Sequence, residues 1–227
     1  MKEGVRKKQK RGPQRKFPED YHDYVFKNGR LVGDFDNMYR YAKGTPWDQD
    51  KRCDHWHTEV GMLMMKEKAP YGTILEIGCG LGYIAAKLKG FAIHAVDAFD
   101  LSPEAVRKAS ALHPGIRFYV DDISSVSFRP KRQYDLVVIL NTFFYVYKKM
   151  ETVVRNINAC VKPNGFLYIG QAFPSLADPF VGKTVIPNPE TLTEYFRNYD
   201  LVYSALLRNH HLDKDGPIFN FLGAKVS

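Results

Sequence analysis

Ile74-Leu75-Glu76-Ile77-Gly78-Cys79-Gly80-Leu81-Gly82-Tyr83 is the stretch from which the rest of the chain can be read. Thr73 to Ile77 is a short apolar run of the kind that forms a buried parallel strand. Three glycines at alternate positions follow, where the chain must turn sharply and lay bare backbone against a ligand. Tyr83-Ile84-Ala85-Ala86-Lys87-Leu88-Lys89 then begins a helix of good helix formers. The unpaired N–H groups at its start favour negative charge. Strand, glycine turn and helix make the first unit of a nucleotide-binding α/β sheet. It is not the dinucleotide pattern G-x-G-x-x-G, whose third glycine falls where Tyr83 stands.

Downstream, strands and helices alternate. Ala92 to Phe99 reads as the second strand. Asp100-Leu101-Ser102-Pro103-Glu104-Ala105 supplies an acid at the strand end, a Ser cap and a Pro at a helix start. Ile116 to Val120 is the third strand, closed by Asp121-Asp122. Tyr134 to Leu140 is the fourth and the most apolar, which places it centrally. Met150 to Val161 has helical spacing, stopped by Pro163-Asn164-Gly165. Phe166 to Gly170 is the fifth strand, Thr191 to Tyr199 a helix, and Leu201–Leu207 and Ile218–Val226 a final pair joined by a turn at Asp213-Lys214-Asp215-Gly216. That last connection is too short for a crossover, so the pair is antiparallel. The expected fold is α/β and Rossmann-like: a seven-stranded, mostly parallel sheet with a terminal antiparallel hairpin and helices on both faces.

Upstream lies an aromatic leader. Asn28-Gly29 is a hairpin turn between Tyr24-Val25-Phe26 and Arg30-Leu31-Val32. Trp56, Val60, Leu63 and Met64 set a helix over residues 51–68, ending before Ala69-Pro70. The reading is a single domain, 17–227, whose residues 17–69 form a leader or cap.

The 227-residue chain carries a net charge of +8. Eight cations and one acid fall within residues 1–16, a net +7, so the remaining body is close to neutral. Such a basic, Gly- and Pro-containing tail is expected to be disordered. Its charge invites nucleic acid or anionic lipid, but a neutral body offers no positive groove and argues against a nucleic-acid partner. No apolar run reaches the ~18 residues of a membrane span, and the amino terminus has no signal-peptide core. Cys53, Cys79 and Cys160 are odd in number and without zinc spacing, which fits a reducing cytoplasm.

Glu76-Ile77-Gly78-Cys79-Gly80-Leu81-Gly82 resembles motif I of the class I S-adenosylmethionine-dependent methyltransferases, and the resemblance at fold level covers about residues 70–227. It implies S-adenosyl-L-methionine as cofactor and S-adenosyl-L-homocysteine as product, lying across the carboxyl ends of the first strands. It further implies that the Gly78, Cys79, Gly80 and Gly82 backbone approaches the cofactor, that Glu76 serves its amino end, and that an acid ending the second strand accepts from both ribose hydroxyls. Asp97 and Asp100 compete for that role. Asp100-Leu101-Ser102-Pro103-Glu104 matches the family turn, so Asp100 with Leu101 is chosen, and Asp97 falls on the opposite face. Asp122, with Asp121 as alternative, and Ile123 are expected at the adenine, and Asn141 near the methyl group. Asn141-Thr142-Phe143-Phe144 lacks both prolines of the Asn-Pro-Pro-aromatic motif of adenine and glutamine methyltransferases, which counts against a base-modifying enzyme.

The leader, from Phe26-Lys27-Asn28-Gly29 to Met38-Tyr39 with Pro46-Trp47 following, is similar to leaders of bacterial enzymes of capsule or surface-polysaccharide synthesis. Pro46-Trp47 and Trp56 also resemble the nodulation-factor N-methyltransferases. This implies a small-molecule or sugar/glycan-precursor acceptor, methylated on oxygen or nitrogen; the alternative is an RNA methyltransferase that uses residues 1–16 as a basic arm. A hydroxyl acceptor needs a base titrating near neutrality. The candidates are His57, Tyr145 and His211, with His210 beside the last. No metal is expected, and the sequence leaves the oligomeric state open.

Overall fold

The computed structural model describes residue 18 and residues 20–173, 181–208 and 216–226. The leader contains α1 (His22–Val25), β1 (Phe26–Lys27), β2 (Arg30–Leu31), α2 (Phe35–Tyr41), α3 (Gln49–Arg52) and α4 (Trp56–Lys66). β3 (Tyr71–Ile77), α5 (Tyr83–Leu88), β4 (Ala92–Asp100), α6 (Pro103–Leu112) and β5 (Arg117–Val120) follow in alternation. The chain continues through β6 (Tyr134–Leu140), α7 (Phe143–Val146), α8 (Met150–Cys160), β7 (Val161–Ala172), α9 (Pro189–Glu194), β8 (Tyr199–Leu207) and β9 (Ile218–Lys225).

The seven-stranded sheet has the order β5-β4-β3-β6-β7-β9-β8. Its first five members run parallel, and β9 pairs antiparallel with both β7 and β8. β6, the most apolar segment, is the middle strand, buried at Leu136, Val137, Val138 and Ile139. One core packs Leu75, Ile77, Phe99, Val137, Ile139 and Leu167 against α8, through Val153 and Ile157. The other face packs Ile74, Val96, Leu136, Val138, Tyr168 and Leu222 against α4 and α5, through Met62, Met65, Ala85 and Leu88. Burying each such large apolar side chain stabilises the fold by about 1.5–3 kcal/mol.

The structure departs from the sequence expectations in four places. Tyr24 and Val25 close α1 rather than open a strand, and the hairpin is only two residues a side, with Phe26 opposite Leu31 and Lys27 opposite Arg30. The helix expected over 51–68 is two pieces, because the chain turns at residues 53–55 and the Thr58 hydroxyl donates to the Arg52 carbonyl at 2.8 Å. Pro163-Asn164-Gly165 does not stop α8; the chain enters β7 directly at Val161, and the triplet forms an irregularity within β7, where Tyr134 pairs with Val161 but Leu136 with Phe166. Asn164 is left-handed there, φ 60°. α9 begins two residues early, because Asn188 caps it by accepting from Thr191 N at 2.8 Å, and it gives way to turns before β8. The expected turn at 213–216 lies outside the described residues except for Gly216, as does the basic tail.

Asp97 illustrates what holds β4 in place. Its side chain is buried, and its carboxylate accepts from Arg117 (2.5 and 2.9 Å), from Arg132 (2.8 Å) and from the Tyr134 hydroxyl (2.7 Å). Burial alone would raise its pKa; the bonds from Arg117, Tyr134 and Arg132 outweigh burial and hold it below the usual carboxylate range.

Candidate active site

A cleft of about 1010 Å³ opens across the carboxyl ends of the parallel strands. That is the upper end of ordinary ligand pockets, about 300–1,000 Å³. One half is acidic. Glu76, Asp100, Asp121 and Asp122 line it from β3, β4 and the turn after β5. The other half is aromatic, walled by Tyr21, Phe26, Phe35, Trp47, Phe144 and Tyr145.

The acidic half is built by the glycine turn. Gly78 (φ 72°) lines the cleft and lies against Thr142, where a Cβ would come within 2.6 Å of its hydroxyl. Gly80 and Gly82 do not line the cleft. Gly80 is covered by the leader, its notional Cβ meeting Gln49 at 2.5 Å and the Tyr39 hydroxyl at 2.7 Å; Gly82 packs on Phe118. Their backbones serve the turn instead: Gly80 N–H donates to Asp100 Oδ2 at 2.9 Å. A side chain at Gly80 would thus displace the leader, not a ligand.

Asp100 is half-buried, and its second oxygen accepts from Ser102 N at 2.9 Å. Burial raises its pKa, opposed by the N–H groups of Ser102, Gly80 and Leu101. A carboxylate has about four lone-pair sites, so these bonds leave room for two hydroxyls. Glu76 is buried, 3% exposed, and its Oε2 has no hydrogen-bond partner. Burial pushes its carboxyl up to about 8; the Ala85 N–H at the start of α5 opposes this, and the Asp100 charge adds to it. An orphaned buried carboxyl oxygen of this kind suits a ligand ammonium. Asp122 Oδ1 accepts from Ser124 N at 2.8 Å, and Asp121 Oδ1 from Asp122 N at 2.9 Å, so both remain at the cleft and geometry does not choose between them. Cys79, Leu101 and Ile123 also line it. Asn141 follows β6 in a left-handed conformation (φ 48°), and its Oδ1 accepts from Ala172 N at 2.8 Å. It ties β6 to β7 at the cleft floor.

The aromatic half comes from the leader folding over the sheet ends. Trp47 and Asp48 are both left-handed, φ 55° and 47°, an unusual conformation for non-glycine residues. This backbone sets the Trp47 ring 5.5 Å from Tyr21 and 5.8 Å from Tyr145, with Phe35 5.2 Å from Tyr145. Burial pushes the Tyr145 phenol well up, and the Tyr21 ring raises it further while a bond from Trp47 opposes. A phenol so placed keeps its proton at neutral pH, so Tyr145 fits a wall or donor and not the base expected of it. His57 lines the cleft from the first turn of α4, its Nδ1 3.4 Å from the Thr58 hydroxyl and its ring 4.2 Å from that of His55. His210 and His211 lie outside the described residues.

The residues that bolt the leader down carried no signal in the sequence. Gln49 Oε1 accepts from Leu81 N at 2.8 Å, inside the glycine turn, and its Nε2 donates to the Tyr39 hydroxyl at 3.0 Å. Asp36 Oδ1 accepts from Glu104 N at 2.9 Å and from the Ser102 hydroxyl at 3.1 Å, at the start of α6. Lys87 reaches back to the Cys53 carbonyl and Asp54, both at 2.8 Å, and to Glu59. Replacing Gln49 by Ala orphans one N–H of the turn and is expected to weaken S-adenosyl-L-homocysteine binding about fivefold to tenfold, read by calorimetry. Unchanged affinity would show that the leader does not brace the turn.

Residues 74–165 match the sequence model of the methyltransferase domain family. A 97-residue stretch is 35% identical to the malonyl-[acyl-carrier protein] O-methyltransferase of Priestia megaterium, covering 41% of this chain and 34% of that protein, so the chain spans about a third of the relative's length. Among solved structures, the N-methyltransferase NodS from Bradyrhizobium japonicum WM9 in complex with S-adenosyl-L-homocysteine superposes with a TM-score of 0.65 over 79% of this chain and 93% of that one, at 19% identity. The putative methyltransferase in complex with the Haloferax volcanii Trm112 activator gives 0.62 over 80% and 93%, at 18% identity. No helix among the described residues is long and apolar enough to cross a membrane. Residues 74–165 are thus a methyltransferase domain, set in a seven-stranded sheet of the same fold as these solved methyltransferases, with a cleft over its carboxyl edge.

Proposed function

We propose that this protein transfers a methyl group from S-adenosyl-L-methionine to a hydroxyl or amine of a small molecule or glycan precursor. The observation that carries the reading is the division of one cleft into an acidic half and an aromatic half enclosed by the leader. The acidic half suits the cofactor: Glu76 its ammonium, Asp100 with Leu101 its ribose, and Asp122 or Asp121 with Ile123 its adenine. When bound, the cofactor supplies an electrophilic methyl on a sulfonium. The chain's own work is to position and to move a proton. Positioning is the larger part of an in-line displacement, and the walls of Trp47, Phe35 and Tyr145 exclude water and fix one face of the acceptor. His57 is the residue assigned to take the acceptor's proton, as a side chain on a helix whose place is set by packing against the sheet.

Tritium transfer from labelled cofactor tests this with two acceptor pools, nucleotide-sugar and polysaccharide fractions on one side and total RNA on the other. Label is expected in the sugar pool, and His57→Gln is expected to lower kcat about a hundredfold while binding S-adenosyl-L-homocysteine normally. Deleting residues 1–16 should change neither result. Labelling of RNA that disappears with that deletion would overturn the assignment in favour of an RNA enzyme.

A further inference from the structure

Among the described residues, three buried polar side-chain atoms that line the cleft have no hydrogen-bond partner: Glu76 Oε2, Gln171 Oε1 and Asn220 Nδ2. Glu76 belongs to the acidic half. The other two lie at the ends of β7 and β9, across β6 from it. With strands about 4.8 Å apart, β9 is three spacings from β3, roughly 14 Å. β7 is two spacings away, roughly 10 Å, so both amides lie beyond the acidic half, Asn220 on the face that α4 covers.

Each amide is held in one orientation. Gln171 is fully buried, and its Nε2 donates to the Ala172 carbonyl at 3.0 Å, which leaves Oε1 as an unused acceptor. Asn220 is 1% exposed, and its Oδ1 accepts from the Tyr168 hydroxyl at 2.5 Å, which leaves Nδ2 as an unused donor. Gly170 pairs with Asn220 and Gln171 with Phe219, so the two amides leave opposite faces of the sheet and reach the cleft from both sides of the strand ends. α4 is shaped around the same pair. A Cβ at Gly61 would come within 1.9 Å of the Tyr168 hydroxyl and 3.2 Å of Asn220 Oδ1, so a glycine, poor within a helix, is required there. His57 precedes Gly61 by four residues and shares its helix face.

We infer that Gln171 and Asn220 form the floor of the acceptor subsite and select an uncharged acceptor carrying hydroxyl or amide groups. The inference rests on the methyltransferase reading above and narrows its substrate class. An unused acceptor on one side of the strand ends and an unused donor on the other match a molecule whose hydroxyl or secondary amide groups both donate and accept. A carboxylate only accepts, and Gln171 Oε1 would face its lone pairs. The aromatic wall opposite gives the carbon face of a ring somewhere to rest.

The test uses the full chain labelled with ¹⁵N and saturated with S-adenosyl-L-homocysteine. Calorimetry comes first: failure of the product to bind would overturn the methyltransferase reading itself. In the loaded protein, the side-chain amide signals of Asn220 and Gln171, assigned through bonds, are followed during titration with methyl N-acetyl-glucosaminide and, separately, with malonate. The glycoside is expected to move both signals, and malonate neither. Asn220→Leu and Gln171→Met should each weaken glycoside binding about tenfold without changing affinity for S-adenosyl-L-homocysteine. Signals that respond to malonate alone, or to neither probe, overturn the inference while leaving the cofactor assignment intact. Equal glycoside affinity in both variants does the same.

Discussion

Alanine at Asp100 is expected to lower the affinity of the folded protein for S-adenosyl-L-homocysteine about a hundredfold, whereas alanine at Asp97 is expected to unfold the protein more readily and leave binding by the folded fraction unchanged. The two acids are three residues apart on β4 and so project from opposite faces. Asp100 projects to the cleft, and its bonds from Gly80 and Ser102 leave lone pairs for the ribose hydroxyls proposed above. Removing a charged acceptor of two hydroxyls costs about 2–4 kcal/mol of binding. Gly80 and Ser102 are buried, so leaving their N–H groups unpaired also costs about 1–3 kcal/mol of stability each. Asp97 is sealed in, holding Arg117, Arg132 and the Tyr134 hydroxyl. Breaking a buried pair costs about 3–5 kcal/mol, and the lower figure applies because both arginines reach water, with side chains 55% and 37% exposed. The pH dependence has a definite sign. The folded-state pKa of Asp97 lies below its unfolded value, so its contribution is present above the unfolded pKa of about 3.9 and is lost as pH falls through the lower folded value. Urea titrations at neutral and acid pH, with calorimetry on each variant, separate the two roles. Loss of binding in Asp97→Ala at full stability would exchange the assignments.

This contrast was legible in the sequence because β4, its register and the Asp-x-Ser-Pro-Glu turn are local patterns. Strands are written in runs of apolar residues, and β3, β4, β6 and β9 start and stop within two residues of where those runs do. The glycine turn is written in residues that only glycine's backbone freedom explains. The leader's docking is not written locally. Gln49 meets Leu81 across 32 residues and Asp36 meets Glu104 across 68, and a polar side chain on a short helix looks the same whether it faces water or caps a distant turn. Asn220 and Gln171 were hidden for a related reason. Each stands among mostly apolar strand neighbours, Gln171 after Ile169-Gly170 and Asn220 between Phe219 and Phe221, and only the sheet order brings both to one cleft. Pro163-Asn164-Gly165 misled because the same residues that end a helix also make an irregularity inside a strand.

Glu76→Gln is expected to change stability and function in opposite directions. Its carboxyl is raised to about 8, first by burial and then by the Asp100 charge, against the opposing Ala85 N–H. An acid whose folded pKa exceeds its unfolded one destabilises the fold when ionised. The cost is absent below the unfolded value of 4.5, grows as pH rises toward 8, and is constant above it. The ligand-free glutamine variant should match the native protein at pH 4.5 and exceed it at pH 8 by on the order of a few kcal/mol, seen as a Tm advantage that widens with pH. Binding moves the other way. A ligand ammonium pairs only with the carboxylate, so association near pH 7 must expel the Glu76 proton. Native affinity for S-adenosyl-L-homocysteine should therefore climb between about pH 6 and 8, by up to tenfold per unit. Calorimetry in buffers of different ionisation enthalpy should detect the released proton. The glutamine variant should bind about ten- to a hundredfold more weakly near pH 8 and release none. A variant that is stabilised yet binds as well as the native protein would remove Glu76 from the cofactor site and leave its burial without a functional cause.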